Sequence, residues 1–263
     1  MYADDLALTV YSKNQHIFLR KLSDISSTIT EWCNANRLKL NHNKTVDLKI
    51  TTKSGDFSLN TPVNFLGIYM ESSLGWNTHI EYLANKLSKS LFIIRILKQY
   101  LNVQALLSVY YAHFYSHLSY GIILWGNHTS VSKLLVIQKR CVRMICGAQY
   151  REHCKPLFVR LGVLTLPSMY ILDCLLYVKR NIQSFNYFSL VHSYNTRNNA
   201  NIYLDKCKYS VTQRNYYYMS QRFFNSIPLN IRNLPVSSFK KAIQNKLLEN
   251  PLYAVDEYFN IVW

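Results

Sequence analysis

Residues 99–132 contain no Asp, Glu, Lys or Arg, in a chain whose formal net charge is +16. A neutral run of that length has two homes, a bilayer or the inside of a folded domain. Gln104, Ser108, His113, Ser116, His117 and Ser119 interrupt it at intervals that no hydrocarbon core favours. The run is therefore expected to fold as a buried helix pair, and no membrane is expected as a partner.

The cations lie around and beyond that run. Residues 1–81 hold 8 Lys and Arg against 8 Asp and Glu, whereas residues 82–248 hold 22 against 3. So lopsided a segment points to a polyanion, because each phosphate it neutralises releases counterions and strengthens binding. Basic side chains also keep an apolar surface soluble, a reading that suits a moderate excess better than this ratio. With 263 residues, 49% of them hydrophobic, and only 7 Gly and 6 Pro, the chain is long and apolar enough for one large domain or two small ones.

Six scattered cysteines fit reduced thiols and an intracellular protein. Cys141, Cys146, His153 and Cys154 can be drawn as a zinc site, but the C-x-x-C spacing of zinc ribbons is missing.

The hydrophobic period changes near Trp76. Before it, Leu6–Tyr11, Leu38–Leu40, Val46–Ile50, Phe57–Leu59 and Val63–Tyr69 read as short strands, with one amphipathic helix over 15–36 carrying Ile17, Leu22, Ile25, Ile29 and Trp32 on one face. After it, Ile80, Leu83, Leu87, Leu91, Ile94 and Leu97 recur at helical spacing. Lys86, Lys89, Arg95 and Lys98 lie off that stripe and are candidates for contact with a nucleic-acid duplex. Lys139, Arg140 and Arg143 are candidates for gripping a phosphate backbone.

Helical patterns continue to about residue 185, with Ser168–Phe185 as one helix. A mobile linker is expected over 186–218, and a terminal basic helix over 238–248. Near that linker, Tyr216, Tyr217, Tyr218, Phe223 and Phe224 beside Arg214 and Arg222 suit either base stacking or a small hydrophobic cluster. The fold class is α+β: an antiparallel sheet with a packed helix, then a mostly α-helical region.

The adjacent carboxylates Asp4 and Asp5 precede the first expected strand and are placed at a hairpin tip. An Asp-Asp pair by itself is most often a solvated turn. Kept ionised side by side, however, two carboxylates call for a hard divalent cation such as magnesium, and magnesium calls for phosphoryl transfer. Lys44, in an Asn-rich turn, reads by itself as a surface lysine. Gly67, within Phe65-Leu66-Gly67, marks close approach of another backbone or a bulge.

Tyr2-Ala3-Asp4-Asp5 resembles the catalytic motif of reverse transcriptases. Trp32 to Asn41 with Asn43-Lys44-Thr45 resembles the next polymerase motif of retroelements lacking long terminal repeats, and Asn64-Phe65-Leu66-Gly67-Ile68 resembles the primer grip. Later stretches are similar to segments C-terminal to the polymerase core in jockey-like, LINE-type elements. These are Tyr120-Gly121 with Trp125, Leu134–Gly147, Tyr194-Asn195-Thr196-Arg197, and Phe224-Asn225-Ser226-Ile227-Pro228 with Arg232.

The resemblance implies a partial polymerase palm over 1–75, a helical thumb or connection over 76–185 and a C-terminal tail over 186–263. It makes Asp4 and Asp5 ligands of Mg2+, Lys44 a general acid and Phe65, Leu66 and Gly67 a primer-positioning hairpin. An RNA template, a DNA primer or an RNA–DNA hybrid becomes the partner, with synthesis in the cytoplasm and action in the nucleus.

The family's fingers and its other catalytic carboxylate precede the Tyr-Ala-Asp-Asp motif. Two ions about 4 Å apart need more than one adjacent pair to hold them. The chain alone is therefore expected not to extend a primer. A nonenzymatic basic RNA- or DNA-binding remnant, an intron-maturase-like protein and a pseudogene product without function are the other readings. The sequence leaves the oligomeric state open.

Overall fold

The computed structural model describes residues 6–41, 43–50, 61–191 and 199–263. They fall into two compact units, one ending at Leu74 and the other running from Gly75 to Trp263.

The first unit contains helix α1 (Gln15–Ala35) and a hairpin of β1 (Val63–Phe65) and β2 (Ile68–Met70). Asn14 starts α1: its side-chain oxygen accepts from the amides of His16 at 2.9 Å and Ile17 at 3.4 Å. The helix closes in a Schellman motif, with Leu38 N–H donating to the Cys33 carbonyl and Arg37 N–H to that of Asn34, and Arg37 at φ 55°.

The expected single strand Val63–Tyr69 is instead two strands in antiparallel register, Val63 opposite Met70 and Phe65 opposite Ile68. Leu66 at φ 49° and Gly67 at φ 79° make the two-residue turn, so the glycine serves the left-handed turn rather than a bulge. The expected strands Leu6–Tyr11, Leu38–Leu40 and Val46–Ile50 do not form; Leu8 is 54% and Tyr11 84% exposed. A strand needs a partner ladder, and alternation alone does not supply one. The expected strand Phe57–Leu59 lies outside the described residues. Helix α1 keeps its predicted period, but Ile17, Leu22 and Trp32 are exposed and Cys33 is its one buried residue, so no sheet covers that face among the described residues.

The second unit is helical. Its elements are α2 (Asn77–Leu97), α3 (Val103–Val109), a π-helical turn over Tyr110–Tyr115, α4 (Ser116–Ser119), α5 (Ile122–Trp125) and α6 (Ser132–Cys146). They are followed by α7 (Lys155–Leu161), α8 (Leu166–Arg180), α9 (Phe188–Val191), α10 (Ser210–Arg214), α11 (Tyr216–Asn225), α12 (Leu229–Arg232) and α13 (Val236–Glu249).

Helix α8 is apolar nearly all round and runs through the centre, against α5, α11 and α13. Thr165 caps its start, the side chain accepting from Ser168 N at 3.4 Å, and Pro167 occupies the first turn, where its missing donor costs nothing. Asn181 ends it, earlier than the periodicity predicts. Helix α2 packs on α6, which stops at Gly147 in the left-handed conformation.

The uncharged run becomes the continuous helix α3–α4 and then α5, with Leu106, Tyr110, Phe114, Leu118, Ile122 and Trp125 in the core. No single helix among the described residues is long and apolar enough to cross a membrane. Helices α7 and α8 pass that test only as a pair bent by 58°, and α8 is buried in the protein core.

The tail belongs to the same core. Ile202 is fully buried and pairs with Tyr187, and the Asn225 side chain holds both its amide and its carbonyl, at 2.9 and 2.8 Å. The described ends of the expected linker are thus tied down. Phe223 and Phe224 are buried as core, which takes these two into the hydrophobic cluster, while Tyr217 stacks on Phe185 at 5.4 Å and stays 44% exposed.

His79 is buried on α2 among the rings of Trp76, Tyr82 and Trp125, the last at 5.7 Å. Burial, and secondarily the charge of Lys86, lowers its imidazole to about 4. A folded value below that of a free histidine means stability that is complete above pH about 6.5 and is lost as pH falls towards about 4. The thermal midpoint is expected to drop over that interval, and His79→Phe to flatten the drop in a pH series of melting curves. An equally steep acid limb in the variant would show that His79 is not its source.

Candidate nucleic-acid interface

The seven basic residues singled out on α2 and α6 do not form one surface. At about 100° per residue, Lys86 and Lys89 flank the buried stripe of α2 on one side, and Arg95 and Lys98 flank it on the other. Lys89, Arg95 and Lys98 are exposed; Lys86 is half-buried with its ammonium 4.6 Å from the centre of the Tyr82 ring. Between the two flanks α2 presents Phe92, 60% exposed, and Ile96, 45% exposed. The C-terminal part of the outer face is therefore apolar between cations, which the expected lysine face did not include, whereas exposed Glu81, Asn85 and Ser88 keep its N-terminal part polar.

On α6, Arg140 is exposed, but its two neighbours are engaged inside the molecule. The Lys139 ammonium sits 3.3 Å from the centre of the Tyr253 ring, and burial lowers its proton affinity. Arg143 donates from Nε to the Glu152 carbonyl at 2.8 Å, closing the loop after α6. Lys155 pairs with Glu257 at 3.1 Å, and Arg160 donates to the Cys146 carbonyl at 3.2 Å. A groove of about 730 Å³ beside them sets Lys155 and Lys246 against Glu249 and Glu257, a balance of charge that does not favour phosphate. Of the expected grip, Arg140 is exposed, whereas Lys139 and Arg143 also hold the C-terminal tail and the α6–α7 loop.

Two residues that sequence reasoning passed over lie beside Lys86. His113 is exposed and His117 half-buried, one turn apart on the α3–α4 helix where it packs on α2. Their signal in the sequence was the four-residue spacing within an otherwise uncharged run.

In the first unit, Lys44 is exposed in a turn built by Asn41. The Asn41 side chain accepts from Asn43 N at 3.1 Å and its carbonyl from Lys44 N at 3.1 Å. Phe65 and Leu66 are half-buried and Gly67 exposed, at the hairpin tip. Asp4 and Asp5 lie outside the described residues, as does Tyr194-Asn195-Thr196-Arg197.

Among the described residues no group of three or more His, Cys, Asp or Glu side chains is placed to hold a metal ion. Two cysteines of the drawn zinc set are buried. Burial pushes the Cys141 thiol far up, and Cys154, also buried, directs its Sγ to the carbonyls of Lys139 at 3.7 Å and Glu152 at 3.8 Å.

The chain is 26% identical over 166 residues to a Drosophila melanogaster protein described as "Probable RNA-directed DNA polymerase from transposon BS". The match covers 57% of this chain and 18% of that protein's length. It supports a reverse transcriptase relation. No family model matches the chain, and no solved structure does.

Proposed function

We propose that this chain is part of a reverse transcriptase of a retrotransposon lacking long terminal repeats, and that its helical unit holds nucleic acid for that enzyme. The observation that carries the reading is the joint one of a transposon polymerase likeness and a 22-to-3 cationic excess over 82–248. Several of those cations, Lys89, Arg95, Lys98 and Arg140 among them, are exposed.

In this reading the first unit is the end of a palm, the Leu66-Gly67 hairpin positions a primer and Lys44 donates a proton to the leaving group. Asp4 and Asp5 are the residues that would hold magnesium, which supplies neutralisation of phosphate charge. Residues 1–263 by themselves do not extend a primer, because one adjacent carboxylate pair does not fix two ions. RNA–DNA hybrid, template and primer are the partners.

The test is binding of a labelled RNA–DNA hybrid across a salt series. The logarithm of the association constant is expected to fall steeply with that of salt concentration, and Lys89→Gln and Arg140→Gln each to lower the slope by about one. A flat salt dependence would sink the proposal. So would a slope that neither replacement alters.

A further inference from the structure

The π-helical turn gives two histidines a common direction. Leu106, Tyr110, Phe114 and Leu118 are all buried at a strict spacing of four. A regular α-helix advances about 40° past a full turn over four residues, so such a stripe would wander about 120° off the core by its end. The wider turn over Tyr110–Tyr115 takes up that drift. Its consequence on the solvent side is that His113 and His117, each preceding a stripe residue, also stay on one face.

The position of that face is set by hydrogen bonds. The Ser90 hydroxyl of α2 is bonded to the carbonyl of Lys86 at 3.2 Å and to that of His113 at 3.0 Å, locking the turn after Lys86 to the middle of the π-helical segment. The charges that bear on His117 are Lys86, across the helix pair, and His113, along its own helix. Asp173, on α8, bears on Tyr115 of the same helix rather than on His117. Lys86 of α2 and His113 and His117 of the α3–α4 helix thus lie along one seam of the helix pair, with Lys89 one turn further along the same flank of α2.

We propose that Lys86, His113 and His117 form a phosphate-binding site for a nucleic-acid backbone that strengthens as His117 takes up a proton. The inference rests on the proposed nucleic-acid function and specifies one site within it. A neutral imidazole offers the phosphate a single donor; protonation of His117 adds charge, and Lys86 holds the anion in either state. Burial and the neighbouring cations hold His117 below the ordinary histidine range in the free protein, so it charges late on acidification, and a bound phosphate favours that charging.

The experiment is a titration of the full chain with a fluorescently labelled RNA–DNA hybrid at constant ionic strength, at about pH 8 and about pH 5.5. Binding is expected to be roughly tenfold tighter at the lower pH, with a steeper salt slope. His113→Gln with His117→Gln should bring the two affinities within about twofold of each other, and Lys86→Gln should weaken binding at both. His113→Lys with His117→Lys should bind tightly at both pH values.

A far-ultraviolet circular-dichroism melt checks that each variant is folded. If the double replacement does not fold, His117→Gln alone, at a half-buried position, should still remove most of the acid gain. A gain that persists undiminished in the folded variants assigns it to other histidines and overturns the site while leaving the proposed function intact. No binding at either pH in low salt overturns both.

Discussion

Replacement of Arg232 by Met is expected to destabilise the second unit by about 3 kcal/mol, one of the two largest single-residue effects this structure predicts. The guanidinium is buried and makes no ion pair with a carboxylate among the described residues. Its Nε donates to the Ile227 carbonyl, Nη2 to that of Asn225 at 2.9 Å, and Nη1 to the Ala200 carbonyl at 3.2 Å and the Asn201 side chain at 3.0 Å. Burial lowers its proton affinity, yet the charge is held by carbonyl dipoles converging from two stretches of chain, 200–201 and 225–227.

Met fills a similar volume and offers none of those donors, leaving the carbonyls of the α11–α12 turn without a partner. A lysine in its place would not serve, because an ammonium on a flexible stem cannot reproduce a planar fork that spans four acceptors. Chemical denaturation of wild type, Arg232→Met and Arg232→Lys checks this, with amide exchange at Ile202 as a local reporter. Wild-type stability in Arg232→Met, or full rescue by Arg232→Lys, would refute it.

That cluster also marks where the sequence stopped being informative. The tail motif around Asn225 and Arg232 was legible as a resemblance, but its use was not. Asn225 and Arg232 act on Ile202, Ala200 and Asn201, residues more than twenty positions away in the chain. Local patterns predicted what is local. Helix α1 was expected over 15–36 and runs Gln15–Ala35. The core stripe of α2 is the predicted one, because helical period and burial are two views of the same geometry. The strands before Trp76 were misjudged for the converse reason: a run such as Leu6–Tyr11 is a strand only if something pairs with it.

The candidate interface shows the same division. An off-stripe lysine can lie anywhere on the remaining two-thirds of a helix surface. Lys86 and Lys89 therefore separated from Arg95 and Lys98, and nothing in the spacing marked Phe92 and Ile96 as exposed. Lys139 and Arg143 were indistinguishable from Arg140 in the sequence, since the partners that occupy them, Tyr253 and Glu152, come from a distant tail and a loop. The π-helical turn has no simple compositional signature. It is inferred only once the four-residue stripe from Leu106 to Leu118 is known to be buried throughout.

Gln138 should be the most damaging polar residue to remove. It is fully buried on α6, and the three hydrogen bonds of its amide join three elements. Nε2 donates to the Tyr110 hydroxyl at 2.9 Å and the Leu164 carbonyl at 2.9 Å, and Oε1 accepts from Leu166 N at 2.9 Å. The first bond reaches the π-helical turn. The other two hold the entry to the central helix α8, whose first amides have no partner within the helix.

Gln138→Leu preserves the volume and strands three buried polar groups at once. At about 1–3 kcal/mol each, discounted because they relax together, the expected loss is about 4 kcal/mol. Tyr110→Phe in the Gln138→Leu background should recover part of it, since the orphaned hydroxyl goes with its partner, whereas Tyr110→Phe alone should destabilise. A double-mutant cycle read by denaturant midpoint measures that coupling. Additive losses would mean that the hydroxyl and the amide do not share the bond, and the π-helical turn would then need another source of its register.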